Sequence, residues 1–153
     1  MTISAIDLFA GAGGTSTGAT LAGVRVLVAV NHWPVAVETH ALNHPRTQHV
    51  CQDIATVDPS SMPAHDIMLA SPSCVGHTRA RGKEQSHHDA ARATADDVLR
   101  FAEANMPRAV IVENVPEMMQ WKRYRSWRMA WSDLGYRVSE QVIDAADAGV
   151  PQN

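Results

Sequence analysis

The chain has 153 residues, 45% of them hydrophobic and 19% charged, with a net charge of -3. That composition excludes disorder and suffices for a real core, while the acidic balance argues against a surface that grips a phosphate backbone by charge alone. No run is apolar for long enough to span a bilayer, the first residues lack a secretory signal's basic stretch, and two cysteines make no disulfide framework, so a cytoplasmic protein is expected.

Residues 3–9 read as a buried strand closed by a glycine-rich turn, Phe9-Ala10-Gly11-Ala12-Gly13-Gly14. A short helix over 15–22 follows, with Gly23 as its stop. The β-branched run 24–30 is a second strand. Pro34 opens a helix that ends near Asn43-His44-Pro45. Residues 47–51 and 66–70 give a third and a fourth strand. Helical spacing returns at Ala95, Val98, Leu99 and Ala102, and Pro107 ends that helix. Residues 109–112 are a fifth strand. Tyr124, Trp127, Trp131 and Leu134 mark one face of a last helix closed by Gly135; at that spacing tryptophans read as core rather than as a base-stacking platform. Residues 138–143 are expected to form a sixth strand. Strands alternating with helices predict an α/β fold, a mostly parallel sheet with helices on both faces. The chain stops before any helix that could cover a sixth strand, so the domain, 1–153, is expected to be incomplete at its C-terminal side.

In such a sheet, side chains at the strand ends gather on one edge. Three strand ends carry chemistry: the glycine turn after Asp7, the segment Ser71-Pro72-Ser73-Cys74, and Glu113-Asn114-Val115. Glycines without Cβ let backbone approach a ligand, and the helix start behind them offers free N–H groups. A dinucleotide site asks for a third glycine where Ser16 stands, which weakens a nicotinamide-enzyme reading. Asn31, followed by His32 and Trp33, sits where a ribose-binding group is expected. Asp53 and Ile54 offer a carboxylate and an apolar wall to a purine, although Asp53 taken alone reads more readily as a loop or capping residue. The basic run Lys122-Arg123-Tyr124-Arg125 reads as a solvated face, while Arg79-Ala80-Arg81-Gly82-Lys83 closely follows Cys74 and could serve a site. The eight histidines are scattered without metal-ligand spacing, so no metal is expected.

Taken in order, these segments resemble the DNA (cytosine-5)-methyltransferase family. Asp7-Leu8-Phe9-Ala10-Gly11-Ala12-Gly13-Gly14 is similar to its first motif, Ser71-Pro72-Ser73-Cys74 to its nucleophile loop, and Glu113-Asn114-Val115 to its Glu-Asn-Val motif. Asp89-Ala90-Ala91-Arg92-Ala93-Thr94 is similar to the segment that leads into the intervening helix. Gly149-Val150-Pro151-Gln152 resembles the start of its arginine motif. The resemblance implies a Rossmann-like S-adenosylmethionine-dependent methyltransferase fold and S-adenosyl-L-methionine as cofactor, held by Asp7, Phe9, Gly11, Ala12, Gly13, Gly14, Asn31, His32, Asp53, Ile54 and Ser71. It implies double-stranded DNA as partner, with a flipped-out cytosine as substrate. Cys74 would add to C6 of the base and Glu113 would engage N3 and the exocyclic amine, both facing one pyrimidine-sized hollow.

The sequence departs from the family pattern at several places. Ser73 replaces the proline before the nucleophile, Asn31 the acidic ribose ligand, and His32 the stacking aromatic; His77 stands where many members carry an aromatic. The arginines expected after Gln152 and a target-recognition domain are absent. Restriction-modification enzymes are the natural setting, and a second polypeptide could supply the missing part. The alternative is a non-catalytic remnant that binds S-adenosylmethionine or a partner without turnover.

Overall fold

In the computed structural model, residues 2–73 and 86–150 are described, with backbone alone for 86–93. Five parallel strands form one sheet in the order β3-β2-β1-β4-β5: β1 is Ser4–Leu8, β2 Arg25–Asn31, β3 Gln48–Cys51, β4 Ile67–Ala70 and β5 Ala109–Val112. Helices α1 (Gly14–Leu21) and α2 (Pro34–Asn43) connect β1 to β2 and β2 to β3, and α3 (Ser86–Asn105) connects β4 to β5. Helix α4 (Tyr124–Asp133) follows β5. The chain first winds outward from β1 to β3, then crosses back to lay β4 on the other side of β1. The direction of winding therefore reverses between β1 and β4, and ligands of open α/β sheets bind at such a reversal.

The punctuation read from the sequence holds. Gly23 and Gly135 take positive φ (80° and 91°), and the residues after them return hydrogen bonds to α1 and α4. Pro34 occupies the first turn of α2. Because successive strand residues face opposite sides, Ile6 and Leu8 point to one face of the sheet and Ala5 and Asp7 to the other.

The first face carries the apolar core. Ile6, Leu8, Val28, Val30, Met68 and Ala70 meet Ala95, Val98, Phe101 and Ala102 of α3 and Trp127 and Trp131 of α4. The two tryptophans are 8% and 4% exposed and cross edge to face at 5.6 Å, and Trp127 Nε1 donates to the Ala95 carbonyl, so this face of α4 is core. Arg123 of the basic run pairs with Asp96 of α3 at 3.0 Å. The second face, covered by α1 and α2, buries Leu69 together with small and polar groups: Ala5, Ala29 and Ala36 with Asp7, Ser16 and His40.

One expected element is missing. Residues 138–143 form no strand; Val142 and Ile143 are 70% and 71% exposed. A run of high β-propensity becomes a strand only when a neighbour takes its N–H and C=O groups. Here a groove of about 540 Å3, lined by Val110, Val112, Trp131, Tyr136 and Val138, separates the run from β5. No strand among the described residues pairs with the far side of β5.

Candidate active site

All five strands run the same way, so their carboxyl ends share one edge of the sheet. Going across it, the residues that follow the strands are Asp53 after β3, Asn31 at the end of β2, Phe9 after β1, Ser71 after β4 and Glu113 after β5. The ladder persists past the strand ends: Ala10 N–H donates to Val30 O at 3.1 Å, Ser71 N–H to Leu8 O at 3.2 Å, and Glu113 N–H to Ala70 O at 2.9 Å. The edge is thus a fixed row rather than a set of loose loops.

The glycine turn sits at the centre of the row. Phe9 and Gly11 take φ of 61° and 53°, and Gly13 takes 101°. A left-handed phenylalanine is uncommon and strained, and the turn is held there by the core behind Phe9. A Cβ on Gly13 would come within 2.8 Å of the His44 ring, whereas a Cβ on Gly14 would meet nothing within 4 Å. Gly13 is therefore needed for the fold and Gly14 faces open space. Helix α1 begins at Gly14 with no side-chain cap and no acidic residue in its first turn, so its leading N–H groups remain available to an anionic group. This suits the methionine end of S-adenosylmethionine.

The other expected cofactor residues divide. Asn31 Oδ1 accepts from Trp33 N–H at 2.9 Å, and His32 and Trp33 are exposed beside it. Asp53 Oδ1 accepts from Ala55 N–H at 3.1 Å, which is the capping role, and its side chain is exposed. Ile54 is 4% exposed and packs into the core beneath the Asp53 turn. Arg100 of α3 fixes that turn by donating to the carbonyls of Ile54 and Val57 at 2.7 and 3.0 Å. Asp7 lies beneath the glycine turn, fully buried, where its Oδ2 accepts from the Ser16 hydroxyl at 2.6 Å. Burial pushes its carboxyl up to about 6, partly offset by the Ser16 bond and by His44.

At the β4–β5 end, Glu113 is exposed and half-buried Asn114 follows it. Asn114 Nδ2 donates to the Pro72 carbonyl at 2.9 Å and its Oδ1 accepts from Val115 N–H at 2.9 Å. One side chain therefore ties the Glu113 segment to a buried proline two residues before Cys74. Cys74, His77, the basic run 79–83 and Gln152 lie outside the described residues, as do the side chains of 89–93.

Sequence reasoning missed one group altogether. Three histidines that looked scattered, His40, His44 and His49, stand together beside the turn, with ring centroids of His40 4.6 Å from His44 and 4.9 Å from His49. The one available signal was the i, i+4 spacing of His40 and His44 in α2. Among the described residues no group of His, Cys, Asp or Glu has the arrangement of a metal site.

A five-stranded parallel sheet in this order, with a glycine turn at the reversal, is the S-adenosylmethionine-dependent methyltransferase fold. The Dnmt2 methyltransferase of S. pombe superposes with a TM-score of 0.74 at 23% identity, over 97% of this chain and 45% of that one. The profile of C-5 cytosine-specific DNA methylases matches residues 3–153. The type II methyltransferase M.DdeI of Desulfomicrobium norvegicum is 30% identical over 97% of this chain and 38% of the relative. M.NlaX of Neisseria lactamica is 33% identical over 97% of this chain and 48% of the relative. The chain belongs to the C-5 cytosine-specific DNA methylase family and spans less than half the length of these relatives.

Proposed function

We propose that residues 1–153 form the S-adenosylmethionine-binding and catalytic part of a DNA (cytosine-5)-methyltransferase, acting on a cytosine flipped out of double-stranded DNA and completed by a second polypeptide or further chain. The observation that carries this reading is the Asn114–Pro72 bond, which holds the Glu113 segment against the root of the Cys74 loop. Of the two cysteines, only Cys74 suits Glu113. Cys51 ends β3, four strands away from β5, a separation of roughly 19 Å at the usual inter-strand spacing.

The turn Phe9 to Gly14 and the start of α1 would hold the methionine end of the cofactor, Asn31 and His32 the ribose side, and Asp53 and Ser71 the flanks. S-adenosylmethionine, when bound, supplies an electrophilic methyl group. The thiolate of Cys74 adds to C6 of the base, forming an S–C6 bond while the C5–C6 electron pair shifts into the ring and Glu113 donates a proton at N3. After C5 has gained its methyl group, loss of the C5 proton to a base returns the electron pair to C5–C6. The S–C6 bond breaks, the thiolate is restored and N3 returns its proton to Glu113. A free thiol with a pKa of about 8.5 is mostly protonated at neutral pH, so the loop must favour the thiolate. Glu113 is exposed, so the bound base itself supplies the cover that its proton-sharing role calls for.

The test is trapping on DNA carrying 5-fluorocytosine, where the fluorine at C5 blocks the last step. With cofactor and a completing C-terminal part, a covalent protein–DNA adduct is expected, and Cys74→Ser is expected to abolish it. An adduct that survives Cys74→Ser overturns the nucleophile assignment. Cofactor binding with no adduct at all favours the non-catalytic reading, to which the Trp33 bond on Asn31 also points.

A further inference from the structure

Behind the glycine turn, four polar side chains from four elements form one hydrogen-bonded chain. His49 of β3 and His40 of α2 approach at 2.8 Å (Nε2 to Nδ1), His40 Nε2 lies 3.1 Å from Ser16 Oγ of α1, and Ser16 Oγ lies 2.6 Å from Asp7 Oδ2 of β1. The carboxylate sets the direction, because it can only accept. Ser16 donates to Asp7, so its oxygen takes the Nε2–H of His40, whose Nδ1 then takes the Nε2–H of His49. His44 stands beside this chain with Nε2 3.2 Å from the Gly13 carbonyl and 3.1 Å from Thr17 Oγ1. A carbonyl has no proton to give, so His44 carries its proton on Nε2. The Thr17 hydroxyl donates to the same carbonyl at 2.9 Å. Gly13, whose missing Cβ leaves room for the rings of His44 and His40, is seated on both imidazoles.

We infer that His40 and His44 are positioning residues for the glycine turn: they set the angle of Gly13 and of the α1 start, and thereby the affinity for S-adenosylmethionine. The inference rests on the cofactor reading of that turn. Nothing about packing calls for such a cluster. The opposite face of the sheet is filled by aliphatic and aromatic side chains, and a buried polar network that is not fully satisfied is less stable than an apolar one. Among the described residues this network is not fully satisfied, because none of them bonds the buried Asp7 Oδ1. The titratable groups facing His40 are Asp7 from β1, His44 from its own helix and His49 from β3; α1 contributes the uncharged Ser16 and Thr17. Burial first, then the neighbouring imidazoles, lower His40 to about 4, and Asp7 at the far end is raised to about 6. Asp7, at one end of the chain, changes charge just below neutrality, so affinity inherits a pH dependence there.

The experiment uses the 153-residue chain with His44→Ala, His44→Asn and His40→Gln, since asparagine restores a donor to the Gly13 carbonyl. Two readouts are taken: amide hydrogen exchange at residues 13–16, and calorimetric binding of S-adenosylmethionine between about pH 5 and 8. His44→Ala is expected to speed exchange and weaken binding by about tenfold, the scale of one lost hydrogen bond. His44→Asn restores both, and His40→Gln, which removes the imidazole bonded to the Ser16 hydroxyl, is expected to speed exchange at residues 13–16. Unchanged exchange in folded His44→Ala, or no rescue by asparagine, overturns the inference. A wild-type chain that binds no S-adenosylmethionine, while exchange responds as expected, overturns the cofactor reading and leaves the positioning of the turn standing.

Discussion

Asp7 and His40 belong to one hydrogen-bond path, and their protonation acts on stability in opposite senses. Asp7 moves from an ordinary 3.8 up to about 6 on folding, so the folded state holds a proton that the unfolded state has released. Its contribution is present below about pH 4 and is lost as pH rises through 6. His40 moves from 6.5 down to about 4, so its contribution is present above 6.5 and is lost as pH falls through 4. His49, also lowered by burial, has the sign of His40. Each of the two large shifts corresponds to roughly 3 kcal/mol, and over the shared window they oppose each other. Urea midpoints of the wild type are therefore expected to change little between about pH 4 and 6. In Asp7→Asn they should climb with pH over that range, and in His40→Gln they should fall. The glycine turn gives a second prediction. Gly13→Ala combines a φ of 101° with a clash against His44 and should destabilise the fold by about 2 kcal/mol or more. Gly14→Ala should leave the unfolding midpoint near the wild type, because its Cβ meets no protein atom, yet weaken cofactor binding by filling space that the ligand needs.

The elements were legible wherever their own residues decide them. β2, β4 and β5 read as largely apolar runs, whereas β1 carries Asp7 and β3 is the mixed Gln48-His49-Val50-Cys51; Gly, Pro, Asn or Asp residues lie within a few positions of each strand and stop it for local reasons. Residues 138–143 carried a mixed signal, with Val138, Val142 and Ile143 interrupted by Ser139-Glu140-Gln141, and pairing is settled by a neighbour: β5 presents a groove where the run would have to dock. The histidine cluster was hidden for a similar reason: His40 and His44 share a helix, but His49 and Asp7 join them only once β3 and β1 are set on either side of β2 in one sheet. Ser16 shows the limit well. Its place in the motif spoke against a dinucleotide, while its hydroxyl's partners, Asp7 and His40, could be found only in three dimensions. Asn114 gives an element-level prediction. Asn114→Ala removes its bond to the Pro72 carbonyl, a loss of about 1 kcal/mol in chemical denaturation. Covalent trapping by the completed enzyme should fall by more than that loss of stability explains, because the Cys74 loop loses its tie to Glu113.

At the scale of the whole molecule, the parallel sheet turns sequence order into a spatial row, which is why motifs separated by tens of residues could be assigned to one edge before any coordinates. The departures at Asn31 and His32 fall on the β2 end of that row, whereas Glu113 and the root of the Cys74 loop occupy its β4–β5 end. The far side of β5 has a different consequence, for behaviour in solution. With Ile111 of β5 55% exposed and no strand among the described residues beside β5, the sheet offers a template on which another chain can lengthen it. The isolated polypeptide is expected to self-associate as its concentration rises, which sedimentation velocity would record as a growing average mass. Ile111→Lys, which places a charge on that flank, should keep it monomeric.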